Sequence, residues 1–186
     1  MRKIFIDGGA NNGNSIQLFL DKFPNAEEFE IHSFECNPKL VHILQKKYSK
    51  KSTIYPFAIY NIDSEKDFYT AEDVSSTLRA DKISGGVDKN KFIKVKTLDL
   101  SKFIFDNFNK EDYIILKLDI EGAEYDVLPH LIETKAIEYI DELYGEYHHL
   151  KLKDITKEEH DKLISDLESL GLKMKNWCAI ENIIEF

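Results

Sequence analysis

Lys3-Ile4-Phe5-Ile6-Asp7-Gly8-Gly9-Ala10-Asn11-Asn12-Gly13 is the stretch that decides the fold. A short apolar run of this kind suits a strand buried on both faces, and the glycines after it permit a tight backbone turn. Asn14 or Ser15 is then placed to cap a helix. Ile16, Phe19, Leu20 and Phe23 recur at i, i+3, i+4 and i+7, and Pro24 stops the run. Strand, glycine turn and helix form the opening unit of an open α/β sheet.

The same logic repeats outward from there. Residues 30–34 read as a strand ending at Glu35-Cys36, and Asn37-Pro38 supplies a cap with proline at the first helical position. Leu40, Val41, Leu44 and Tyr48 give that helix its apolar face. Residues 52–60 read as a third strand. Residues 66–99 are less regular, with strand runs at 67–70 and 92–98 around a polar stretch holding Ser75-Ser76 and Gly85-Gly86. A loop that long in a compact domain is usually either a binding loop or a disordered one. Residues 113–118 read as a central strand. It leads through Asp119-Ile120-Glu121-Gly122 into a helix bearing Ala123, Val127, Leu128 and Leu131. Residues 137–147 are expected to be another strand. Thr156-Lys157-Glu158-Glu159 is a capping box opening a helix lined by His160, Leu163, Leu167 and Leu170. Residues 172–186 alternate as a terminal hairpin would. The expectation is one α/β domain over residues 1–186: a mostly parallel, doubly wound sheet with an antiparallel hairpin at its C-terminal edge.

Composition narrows the partners. The 186 residues carry a formal charge of −9, which disfavours nucleic acid as a partner because phosphates would meet a repulsive field. Cys36 and Cys178 are too few for a disulfide framework and lack metal-ligand spacing, so both are expected as buried, reduced thiols. No apolar stretch approaches the roughly 20 residues that a membrane span needs. Only three apolar residues separate Lys3 from Asp7, so no signal-peptide core is expected and the cytoplasm is the expected location.

The glycine turn implies a nucleotide-like ligand at a helix N-terminus. A phosphate-binding P-loop would need lysine where Asn14 stands. A dinucleotide would bring its pyrophosphate against Asp7. S-adenosylmethionine (SAM) carries an ammonium and a sulfonium, so an acid beside it is favourable, and the charge pattern prefers SAM. Glu35, about 20 residues beyond the turn, is placed to accept hydrogen bonds from ribose hydroxyls. That role suits any adenosine cofactor, NAD included. Asn37, Ala58 and Ser76 follow strand ends and are further candidates for the pocket wall.

Asp7-Gly8-Gly9-Ala10-Asn11-Asn12-Gly13, Phe34-Glu35-Cys36-Asn37-Pro38, Thr97-Leu98-Asp99 and Lys117-Leu118-Asp119-Ile120-Glu121-Gly122-Ala123-Glu124 together resemble the motif series of the FkbM family of SAM-dependent O-methyltransferases. The last motif is the specific one. The resemblance implies a Rossmann-like class I methyltransferase fold, SAM as cofactor and O-methylation of a small molecule or carbohydrate. Cys36 departs from the proline usual before Asn37. The chain also starts directly at its first strand, which leaves little material for a lid over an acceptor.

An alcohol is a weak nucleophile, so a base that takes its proton is useful. Asp119 and Glu121 end the central strand. Glu146 and His148 follow the next strand, on one side by alternation, with Tyr147 and His149 on the other. These four are the catalytic candidates, and Asp119 also belongs with the cofactor-side residues. The four could together hold a divalent metal that lowers the pKa of an acceptor hydroxyl, but their spacing does not demand one, and none is expected. Glu124 reads as an acid stabilising its helix N-terminus, and Lys117 as structural. A SAM- or nucleotide-binding module without catalysis is the alternative reading.

Overall fold

A computed structural model describes residues 1–71 and 75–177. In β1 (Lys3–Gly8) every residue from Ile4 onward is buried, which is why its apolar residues run without alternation. The chain leaves it over Gly9 and Gly13, whose φ values of 77° and 90° are left-handed. A Cβ at Gly9 would lie 2.1 Å from the Asp119 carbonyl oxygen, so only glycine fits there. The helix that follows, α1 (Asn14–Lys22), has no side-chain cap; Ser15, expected as a cap, donates instead to Asp7.

The second unit is β2 (Phe29–Phe34) and α2 (Pro38–Tyr48), where Asn37 accepts a hydrogen bond from the Lys39 N–H as the N-cap. The third strand divides. β3 (Thr53–Tyr55) and β4 (Ala58–Tyr60) flank Pro56, which has no N–H for a ladder, and the two join different sheets. The irregular region supplies β5 (Ser64–Tyr69) and β6 (Phe92–Asp99), which pair antiparallel, while β4 pairs β6 in parallel. A helix not anticipated from periodicity follows. It is α3 (Leu100–Asn107), capped by Asp99, which accepts from the N–H groups of Ser101 and Lys102.

β7 (Tyr113–Leu118), α4 (Glu124–Glu133), β8 (Glu142–Gly145), α5 (Lys157–Ser169) and β9 (Lys175–Asn176) complete the described chain. The expected strand over 137–147 shortens to β8, because Ala136–Tyr139 forms a 3-10 turn that buries Ala136 and Ile137. The capping box at Thr156 forms as expected. Of the terminal hairpin, β9 joins β8 in parallel; residues 178–186, with Cys178, lie outside the described residues.

The large sheet has the order β3-β2-β1-β7-β8-β9, and each of its pairs is parallel. Ile4, Ile6, Ile114 and Leu116 face α3, α4 and α5 through Leu100, Ile104, Leu128 and Leu163. Phe5 and Ile115 face the other layer, where Phe5 stacks on Phe19 of α1. Helices on both faces make the sheet doubly wound, a Rossmann-like architecture. The chain passes from β1 to β2 on one side and, much later, sets β7 on the other. This switch point opens a crevice at the strands' carboxyl ends. No helix among the described residues is long and apolar enough to cross a membrane.

Candidate active site

A cavity of about 690 Å³ opens at that crevice. Its wall includes Gly9, Asn11 and Asn12 from the first turn, Glu35 and Asn37 from the second, Ala58 and Ser76, and Asp119 and Glu121 from the end of β7. Sequence reading therefore converged on one space from five separate segments. It missed the apolar wall, made by Phe57, Ile59, Phe68 and Leu78 among others. Phe57 and Ile59 lie in the segment read as the third strand, and Phe68 and Leu78 in the irregular region, where no period marks them. The segment after β5 contributes Ala71, Ser76 and Leu78, so covering material exists where little was expected.

Glu35 sits at the end of β2 with its side chain turned back to the loops. Oε2 accepts from the Asn11 N–H at 2.9 Å and Oε1 from the Asn37 N–H at 2.7 Å. It thus ties the two turns together. Burial raises its carboxyl above the usual range, against the opposing pull of those N–H groups. Each oxygen keeps a lone pair for a ligand in the cavity. Cys36, also in the wall, is half-buried and not fully buried as expected; burial still pushes its thiol upward.

Asp7 corrects an expectation. It is 0% exposed and absent from the cavity wall, so it does not face a cationic ligand directly. Its Oδ1 lies 3.1 Å from Lys117 Nζ, and its Oδ2 accepts from Ser15 at 2.6 Å. Lys117 in turn donates to the carbonyl oxygens of Gly8 and Gly9 at 3.2 and 2.9 Å. A lysine inside an apolar strand was the available signal: β1 and β7 are in register with Asp7 opposite Lys117. Gly8, Ala10 and Gly13 also lie behind the wall, where they shape the turn: Ala10 packs with Ile16 and Leu44, and Gly13 abuts Tyr48.

The loop after β7 is held in an uncommon shape. Glu121 has φ 54° and Gly122 has φ 111°. A non-glycine residue in that region costs of order 1–3 kcal/mol and persists only when neighbours enforce it. Here Thr77 donates to the Glu121 carbonyl at 2.7 Å, and Lys82 pairs with the Glu121 carboxylate at 2.5 Å. Glu124 accepts from the N–H groups of Ile120 and Gly122, both at 2.8 Å. It does more than favour a helix dipole. The same carboxylate reaches His148 Nδ1 at 3.1 Å and so orients the imidazole, a role that required the fold to be seen.

His148 is buried, whereas Tyr147 and His149 pack on His160; β8 ends at Gly145 and a 3-10 turn starts at His149, so strand alternation, expected here, does not extend over these residues. Among the described residues the His148 Nε2 has no hydrogen-bond partner, and it lies 3.5 Å from Glu146, 3.7 Å from Asp119 and 3.8 Å from Glu121. Burial disfavours the imidazolium, but the bond to Glu124 and the charges of Glu124 and Glu121 outweigh it, holding His148 above the ordinary histidine value. All four catalytic candidates thus meet at one point. Glu121 differs from the others, because Lys82 and Lys151 offset its charge.

Fold and site together define an α/β enzyme with a cofactor-sized cavity at its switch point and an acid–imidazole cluster at one side. The sequence profile of the methyltransferase FkbM domain matches residues 7–174, and the chain belongs to that family. Comparison with curated proteins and with solved structures gave no match.

Proposed function

We propose that this methyltransferase uses SAM and methylates a hydroxyl of a small molecule or sugar. The observation that carries the reading is the shared cavity, which joins the glycine turn and Glu35 to Asp119 and the His148 cluster. When bound, SAM supplies a methyl group already activated on a sulfonium. Gly9, Asn11 and Asn12 would take its carboxylate side at the α1 N-terminus, and Glu35 the ribose hydroxyls. Ala58, Ile59, Phe68 and Leu78 would exclude water around the adenine. Asp7 acts from behind the wall by fixing Lys117 on the Gly8 and Gly9 carbonyls. At the far side, Asp119, Glu146 and His148 orient the acceptor hydroxyl and take up its proton as the oxygen–carbon bond forms. Acidic loops and an acidic chain suit a neutral, polyhydroxylated acceptor better than a phosphorylated one.

Calorimetric titration with S-adenosylhomocysteine tests the cofactor, and transfer of radiolabelled methyl from SAM to a panel of sugars and hydroxylated metabolites tests the reaction. Micromolar or tighter binding with label in an ether product is the expected result. Absence of binding to either compound overturns the reading, and binding without transfer favours a non-catalytic module.

A further inference from the structure

Three side chains of the cluster have a geometry that proton transfer alone does not explain. Asp119, Glu146 and His148 each present one donor atom, and these atoms lie within 4.8 Å of one another. We propose that they hold a single divalent cation of the Mn²⁺ or Mg²⁺ class. Its catalytic role, though not its existence, rests on the methyltransferase reading above.

The imidazole carries most of the argument. His148 is 0% exposed in its side chain, and among the described residues its Nε2 has no hydrogen-bond partner, an expensive state for a buried polar atom. Glu124 already accepts two backbone N–H groups, so it is an acceptor toward Nδ1, and Nδ1 carries the proton. In the neutral ring a lone pair stands on Nε2, pointed at Asp119 and Glu146, and a cation bound there replaces the proton that the surrounding acids otherwise favour. A carboxylate that fixes one ring nitrogen so that the other can bind a cation is the usual outer shell of a metal-bound histidine.

Distances agree. Nε2 lies 3.5 Å from Glu146 Oε2 and 3.7 Å from Asp119 Oδ1. Ligands about 2.1–2.3 Å from a common ion are separated by roughly 3.0–4.5 Å, according to whether they are adjacent or opposite.

Charge agrees as well. Among the described residues, the ion pairs of Asp119 and Glu146 run only to His148, whereas Glu121 nearby is matched by Lys82 and Lys151. These two carboxylates, with no lysine or arginine ion-paired to them among the described residues, contribute a charge of −2 beside the lone pair. One nitrogen and two oxygens select a moderately hard ion. The carboxylate side chains are 44% and 59% exposed, which leaves coordination positions on the open side for water or an acceptor oxygen. A cation there lowers the pKa of a hydroxyl bound to it. With Nε2 occupied, the released proton goes to a free carboxylate oxygen and then to solvent. Spacing alone asked for no metal; β7 and β8 bring the donors together.

The test uses the full chain, stripped with a chelator and then titrated with Mn²⁺ while electron paramagnetic resonance reads the free ion. The wild-type chain should remove one equivalent from the six-line signal. Asp119→Asn, Glu146→Gln and His148→Ala should each weaken binding by at least about tenfold. Glu146→Gln alters an exposed side chain and so reads the site without disturbing the fold; Glu158→Gln, on the exposed start of α5, should leave binding within about twofold. An undiminished free-ion signal overturns the proposal, as does a loss that the three ligand variants alter no more than Glu158→Gln does. S-adenosylhomocysteine titrations on the same samples separate the two readings. Binding of that compound without Mn²⁺ uptake sinks the metal alone, and Mn²⁺ uptake without it sinks the SAM reading alone.

Discussion

Asp7 and Asp119 are both acids that close a buried strand at the switch point, on neighbouring strands β1 and β7. Their surroundings differ completely. Asp7 is enclosed and matched by Lys117 and Ser15, whereas Asp119 is 44% exposed and looks toward His148. Register accounts for the contrast. Pairing of β1 with β7 ends at Gly8 opposite Leu118, with Asp7 opposite Lys117 one step earlier. Asp7 therefore lies inside the paired ladder, where a charge must find a counter-ion within the protein. Asp119 lies one residue past it, where its charge stays available to whatever enters the cavity. One acid is committed to holding the turn, and the other is left facing the cavity.

The comparison can be broken most severely at Lys117. Lys117→Met should cost about 3–5 kcal/mol in urea unfolding, because it strands a buried carboxylate. Adding Asp7→Asn should recover much of that loss, and a single-variant cost below about 1 kcal/mol would show that the pair does not hold the turn. Glu124→Gln tests the boundary between the two regions. An amide can accept through only one of its atoms, so one of the two loop N–H groups loses its acceptor, at about 1–3 kcal/mol. His148 also loses its orienting charge, so turnover should fall with stability. Asp119→Asn should change stability least, within about 0.5 kcal/mol, yet reduce turnover by about a hundredfold or more. Retained activity with a large loss of stability would reverse the assignments of the two acids.

Much of the frame was legible because local chemistry and global fold agree. The Asn37 cap and the Thr156 capping box each stand where their residue types require. Other features depended on partners far along the chain. The helix at Leu100–Asn107 is only 8 residues long, and its start was hidden because Asp99 read as part of a motif and not as a cap. Residues 52–60 looked like one strand, since nothing local says that β4 would pair with β6, beyond a stretch of irregular chain. Ile137 sits in a 3-10 turn because burial beside α3 and α4 outweighed its preference for a strand.

The candidate site divides along the same line. Residue types at strand ends, glycines where the backbone must turn and acids beyond them are local facts, and the sequence alone determined that the cavity would be ringed by Gly9, Asn11, Glu35 and Asp119. Which acids are neutralised and which are free depends on neighbours more than 100 residues away, as Lys117 is from Asp7 and from the Gly8 and Gly9 carbonyls. Only the tertiary structure decided that, because the behaviour of a charge is set by the groups and the water around it, and strand register places them.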